Sequence, residues 1–166
     1  MNFKLRPWEI TDLENLVLYA NNPAIAQNLM DRFPHPYTED SGRKFLQMAI
    51  EPKPPNVLCI DIDGAASGGI GLHIGEDIYR KNAELGYWLA EPFWGNGIIS
   101  KMIPEMVKYG FENFDITRIF ARPFGTNKAS QRVLEKAGFI LEAKLEKTFF
   151  KNGAFQDELI YAIRRS

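Results

Sequence analysis

The sequence predicts a single mixed α/β domain containing one parallel pair of strands. Its 166 residues match one domain of roughly 100–200, and a chain of this size buries on the order of 70% of its unfolded surface without covalent staples. At 45% hydrophobic and 25% charged it is globular and too apolar for disorder. Its apolar residues recur at helical spacing early in the chain and turn strand-like after residue 56. Further on, a glycine loop and a helix separate two strand-like runs, and a helical crossover of that kind joins parallel neighbours.

Each element has its own signal. Residues 2–6 set Phe3 and Leu5 between polar neighbours, a short strand stopped by Pro7. Thr11-Asp12-Leu13-Glu14 has the spacing of a capping box and opens a helix through Leu13, Leu16, Val17 and Ala20. Asn21-Asn22-Pro23 closes it. Residues 31–37 are an aromatic, proline-rich loop, after which Thr38 caps a helix carrying Phe45, Leu46 and Ala49. Pro52, Pro54 and Pro55 end that helix. Residues 57–62 and 69–74 read as two strands around an Asp63-Gly64 turn, and residues 83–89 as a third. Residues 95–97 lead into a helix with Ile99, Ile103, Met106 or Val107, Gly110 and Phe114 at helical spacing. Pro104 lies inside it and predicts a kink or a locally lost hydrogen bond. Residues 118–122 follow as a strand, 127–137 as a helix closed by Gly138, and 155–164 as the last strand. No repeat or linker divides residues 1–166.

Charge and cysteine content exclude several functions. Lys+Arg 20 against Asp+Glu 21 leaves a net charge of −1, so no global basic field exists and no nucleic-acid partner is expected. A lone cysteine, Cys59, forms no intrachain disulfide, and with only His35 and His73 beside it no zinc site is expected. The N-terminal residues contain no apolar targeting run, and no stretch approaches the roughly 20 residues of a membrane span. The expectation is a cytoplasmic domain with no membrane partner.

Trp94-Gly95-Asn96-Gly97-Ile98-Ile99 stands between a predicted strand and a predicted helix. Two glycines let backbone N–H groups approach an anion, and a helix N-terminus adds about half a positive charge. Physically this is a phosphate cradle. It is not a Walker loop, because no Gly-Lys-Ser/Thr follows, and it lacks the third glycine and later acid of the dinucleotide fingerprint. A glycine turn that merely enters a helix fits the same letters.

A second segment, Asn127-Lys128-Ala129-Ser130-Gln131-Arg132-Val133-Leu134-Glu135-Lys136-Ala137-Gly138-Phe139, narrows the reading. Together with Ala83-Glu84-Leu85-Gly86-Tyr87-Trp88 and the residue 94–97 loop, it resembles the GCN5-related N-acetyltransferase (GNAT) superfamily. The nearer likeness is to the RimJ/RimL-like branch of ribosomal-protein N-terminal acetyltransferases. It extends over almost the whole chain, including Lys151-Asn152-Gly153. The resemblance implies a strongly bent sheet of six or seven strands, with helices on both faces and two splayed central parallel strands that acetyl-CoA enters. It implies that residues 83–89 offer backbone groups to the pantetheine arm, with backbone N–H groups near Trp88 and Leu89 meeting the thioester oxygen. Trp94, Gly95, Asn96, Gly97, Ile98, Ile99 and Ser100 are implied to hold the pyrophosphate. Asn127 matches the asparagine facing the CoA arm, and Ser130 a serine near the thioester. Two departures stand out. Pro92 occupies the position where the motif usually begins with Gln or Arg, and Leu134 the position where many members carry a proton-donating tyrosine.

The chemistry points to further candidates. An alkylamine has a pKa around 10 and arrives mostly protonated at pH 7, so a base is needed, and no metal is. Glu84, in an otherwise apolar strand, is the first candidate if half-buried; the alternative is an outward residue paired with Lys or Arg. His73 is the second candidate. Cys59 alternates with Leu58 and Ile60 and reads as a small hydrophobe. Phe33, Tyr37, Tyr87, Trp88, Phe93 and Trp94 read as core or as pocket lining. Arg43, Lys44, Arg118 and Arg122 read as solvated charges, one of which could meet the CoA 3′-phosphate. Ser130 is expected to donate a hydrogen bond to the leaving sulfur. The expected activity is direct acetyl transfer from acetyl-CoA to a small-molecule or peptide amine, by a monomer or homodimer. A non-catalytic acyl-CoA-binding sensor is the alternative.

Overall fold

The computed structural model describes Met1–Ser166. Its strands are β1 (Phe3–Pro7), β2 (Val57–Ile62), β3 (Ala65–Ile74), β4 (Asn82–Leu89), β5 (Arg118–Ala121), β6 (Ile140–Lys151) and β7 (Ala154–Arg164). They form one seven-stranded sheet in the order β1-β2-β3-β4-β5-β7-β6. The helices are α1 (Leu13–Ala20), α2 (Pro23–Ala26), α3 (Glu39–Ile50), α4 (Ile98–Asn113) and α5 (Lys128–Lys136). The architecture is the mixed α/β class predicted, and β4 with β5 is its parallel pair.

Met1–Gly71 with Tyr87–Met102 makes one compact unit, and Leu72–Gly86 with Ile103–Ser166 makes another. The first unit buries Trp8, Leu16, Ile25, Tyr37, Leu46 and Trp88 in one cluster with Cys59. Trp8 meets Phe45 edge-on at 5.1 Å, and Phe33 meets Trp88 at 5.9 Å; of the aromatic candidates, Tyr37 and Trp88 are core with Phe33 packed against them, Tyr87 and Phe93 are half-buried, and Trp94 is exposed. Helix α3 begins as predicted, with the Thr38 hydroxyl accepting the Ser41 N–H. The cap before α1 differs. Asp12 accepts the Glu9 N–H at 2.9 Å, and a turn of 3-10 helix over Ile10–Asp12 precedes α1. Asp12 is preferred over the Thr11–Glu14 box because it also meets Arg6, which donates to both its carboxylate oxygens at 2.8 Å. The same guanidinium donates to Asp61 at 2.7 Å. Asp61 in turn accepts the Gly64 N–H and so closes the β2–β3 turn. Burial works against the Asp61 charge, but Arg6 and the Gly64 amide outweigh it and hold the carboxyl below its usual range.

In the second unit, α4 and α5 cover one face of the sheet. A methyl on Gly110 of α4 would fall 2.4 Å from Leu72 and 3.3 Å from Ile119, so the helix lies against β3 and β5 at van der Waals distance. Tyr161 of β7 donates to Glu135 of α5 at 2.7 Å. Burial, with that bond, pushes the phenol up to about 12. The inward stripe of α4 starts at Ile98 and Met102 rather than at Ile99. The helix continues through Pro104, whose missing N–H leaves the Ser100 carbonyl without its usual helical partner. The reading of individual elements had no counterpart for β6. Its Leu-Glu-Ala-Lys-Leu-Glu-Lys run consists of good helix formers, and antiparallel pairing with β7 overrides that preference.

Candidate functional site

The residue 94–97 loop opens α4. Gly95 and Gly97 adopt φ of +77° and +72°, the left-handed region that glycine enters without strain. A Cβ built on either meets no atom of the chain within 4 Å. Glycine is therefore required here by the backbone, and the space over both residues is open. Asn96 braces the loop, its side-chain amide donating to the carbonyls of Phe93 at 3.0 Å and Trp94 at 3.2 Å. The Trp94 indole N–H donates to the Leu89 carbonyl at 2.7 Å and ties the loop to the end of β4. Ile98 is buried and can offer only its main chain, whereas Ile99 and Ser100 are half-buried. Lys101, in the same first turn, sits with Nζ 5.3 Å from the Phe3 ring centroid. It carried no sequence signal, because its setting depends on a strand about a hundred residues away.

Strand β4 is held differently on its two edges. The parallel ladder with β5 consists of Asn82, Ala83 and Glu84 against Arg118, Ile119 and Phe120, while β4 continues to Leu89. On the other edge, Gly75 N–H donates to Asn82 and Ala90 N–H to Ser67, each at 2.8 Å, which fits a single antiparallel register with β3. Even-numbered amides of β4 thus point at β3 and odd-numbered ones away. On that register the Trp88 amide is directed toward β3 and the Leu89 amide away from it.

The same register sets His73 opposite Glu84. Glu84 is ion-paired in the bidentate manner, Arg122 donating to its two oxygens at 2.9 Å each. Arg122 also lies 3.4 Å from Glu158 of β7. Its hydrogen bond with Glu84 holds the guanidinium more firmly protonated than usual. The Glu84 side chain retains 23% exposure, so it is half-buried as expected, but its neighbour is a cation rather than an apolar wall. The sequence could not reveal this partner, which lies 38 residues away, just beyond the end of β5. The other basic candidates are engaged too. Arg43 pairs with Glu39, Lys44 with Asp40 at 2.9 Å, and Arg118 with Glu142 at 2.5 Å and Asn82 at 3.0 Å.

Asn127 caps α5, its side-chain oxygen accepting the Ser130 N–H at 3.2 Å. Gln131 braces the preceding turn by donating to the Phe124 and Gly125 carbonyls at 3.1 Å. Ser130 is half-buried in the first turn, and Leu134 is fully buried, in keeping with a side chain that packs rather than donates. Cys59 is fully buried, and burial pushes its thiol up to about 12, in keeping with a side chain that packs as a small hydrophobe. No group of three or more His, Cys, Asp or Glu side chains is placed to hold a metal ion, and no helix is long and apolar enough to cross a membrane.

This arrangement has counterparts among known proteins. Residues 2–140 match the family profile described as an acetyltransferase (GNAT) domain. The chain belongs to that family, in its RimJ/RimL-like branch. YdaF of Bacillus subtilis (strain 168), provisionally named a ribosomal N-acetyltransferase, is 35% identical over 101 residues, covering 61% of this chain and 55% of YdaF. The match thus spans just over half of that relative's length. YjcK of the same organism, provisionally named an N-acetyltransferase, is 32% identical over 169 residues, covering 96% of this chain and 92% of YjcK. The solved structure of RimL, a ribosomal L7/L12 α-N-protein acetyltransferase in complex with coenzyme A, superposes with a TM-score of 0.86 at 25% identity, covering 99% of this chain and 94% of RimL.

Proposed function

We propose that this chain is an acetyl-CoA-dependent N-acetyltransferase that passes the acetyl group directly to a primary amine while both substrates are bound. The observation that carries the reading is the residue 94–97 loop. Two left-handed glycines, clear of every other atom of the chain, deliver backbone amides to the start of a 16-residue helix. Amides and helix dipole together suit a pyrophosphate. Gly95, Asn96, Gly97, Ile98, Ile99 and Ser100 serve through their main chain, and Trp94 fixes the loop on β4. The Leu89 amide is assigned to the thioester oxygen, where negative charge grows; Trp88 supports it by packing. Asn127 orders the first turn of α5 and faces the CoA arm, which brings Ser130 toward the sulfur. Acetyl-CoA supplies the activated carbonyl. Glu84 receives the amine proton, directly or through water, as the C–N bond forms and the C–S bond breaks. The likeness to RimL, a ribosomal L7/L12 α-N-protein acetyltransferase, favours a protein N-terminus or a small amine as acceptor. The decisive experiment incubates the protein with acetyl-CoA and a panel of such amines and measures free thiol; no release above hydrolysis with any amine overturns the reading.

Gly97→Val is expected to weaken acetyl-CoA binding more than tenfold, about 1.4 kcal/mol. Valine is strained at φ +72°, so Gly97→Asn, which tolerates this conformation, separates backbone strain from blockage of the cradle. Calorimetry reads both, and unchanged affinity in the two variants removes the loop from the site. Ser130→Ala is expected to lower kcat at least tenfold, about 1.4 kcal/mol, with little change in Tm. A loss of stability with normal turnover would make Ser130 a helix-capping residue only.

A further inference from the structure

Thirteen glycines occur in the chain, and the fold explains all but one. Each of the others either adopts a positive φ or would press a Cβ to within 3 Å of a neighbouring atom. Gly86 does neither: its φ is ordinary for a strand, and a Cβ there meets nothing within 4 Å. Glycine inside a strand is destabilising relative to alanine, and it commonly marks a place where another molecule comes close. Nothing in the folded chain requires it here.

Its position is informative. Gly86 follows Glu84 by two residues, so it shares a sheet face with Glu84 about 7 Å further along the strand. The parallel ladder has already ended at Glu84 and Phe120. Leu85, on the opposite face, is buried, and that is the face α4 covers through Leu72 and Ile119. The gap at Gly86 therefore opens on the same side as the Glu84 carboxylate, away from the helices of its own unit.

We propose that Gly86 is a specificity-determining position, and that the space it leaves receives the substituent on the carbon bearing the acceptor amine. The inference rests on the N-acetyltransferase reading with Glu84 beside the reacting nitrogen. An unbranched R–CH2–NH2 amine carries only hydrogens there and does not need the gap. An α-substituted amine, such as the N-terminal residue of a peptide or an amino-acid amide, does. The site is thus built for α-substituted amines.

The test compares wild type with Gly86→Ala and Gly86→Ser, using a dipeptide amide and a linear diamine as acceptors. Tm and acetyl-CoA affinity by calorimetry are measured alongside. The expected result is an unchanged or higher Tm, acetyl-CoA Kd within twofold of wild type, and kcat/KM for the dipeptide reduced at least tenfold, mainly through KM. The diamine loses less than threefold. Equal losses on both acceptors, no loss on either, a wild type that uses only the diamine, or a loss confined to acetyl-CoA affinity overturns the assignment. A wild type that releases no thiol with any amine instead overturns the underlying N-acetyltransferase reading, which separates the two failures.

Discussion

Glu84→Gln is expected to lower kcat/KM about 10²-fold or more while leaving acetyl-CoA affinity nearly intact. Glutamine keeps the shape of the side chain but loses its charge and its capacity to take a proton from an ammonium. The loss is expected to shrink at high pH, where the amine arrives already neutral; an alkylamine's pKa is about 10. The bidentate contact with Arg122 makes the rest of the pattern specific. The amide of the variant presents a donor group where Arg122 already donates, and Tm must be read alongside the rate to show that the strand ends remain paired. The companion variant is His73→Gln, since the β3–β4 register puts His73 opposite Glu84. Wild-type rates for Glu84→Gln at every pH, with a loss in His73→Gln, would pass the role to the histidine. Normal rates in both would pass it to a water chain.

Arg6→Met is expected to destabilise the protein by about 3–5 kcal/mol at neutral pH, the usual cost of removing one partner from a buried ion pair. The Asp12 and Asp61 side chains keep only 8% and 6% exposure, so methionine would leave two carboxylates out of water without a counter-charge. The pH dependence checks the cause. In wild type the Asp61 pKa is lowered on folding, so its contribution is present above the unfolded pKa of about 3.9 and is lost as pH falls through the lower folded value. Without Arg6, only the Gly64 amide and the more distant Lys4 charge oppose burial at Asp61, so the Asp61 carboxyl pKa rises in the folded state. The variant then recovers stability as pH falls from 7 toward 4.5, and its deficit against wild type narrows. Urea midpoints at the two pH values measure this. An equal deficit at both would mean that Arg6 contributes by packing rather than by charge.

Much of the fold was legible from local signals, because those signals act over a few residues. The Thr38 cap, the Asp63-Gly64 turn, the glycine after α5 and the two glycines before α4 are choices the backbone makes for itself, and each stands where the spacing predicted. Asn127, read from the sequence as the first residue of a helix, is the cap of α5. The failures share a cause as well. Thr11 lost its capping role to Asp12 because Arg6, on a neighbouring strand, holds the Asp12 carboxylate. Strand β6 was missed because its letters favour a helix and only its partner β7 makes it a strand.

The family, most of the elements and the glycine loop before α4 could be read from the letters alone, since periodicity, capping and glycine placement are written into short stretches of chain. Tertiary structure decided what surrounds the chemistry. It paired Glu84 with Arg122, turned the Trp88 amide into the sheet and the Leu89 amide away from it, and left Gly86 facing open space. Those outcomes depend on strand register and on where the parallel ladder stops, and neither is encoded within one segment. Register is a contest between distant hydrogen-bonding partners, settled only when the strands are side by side.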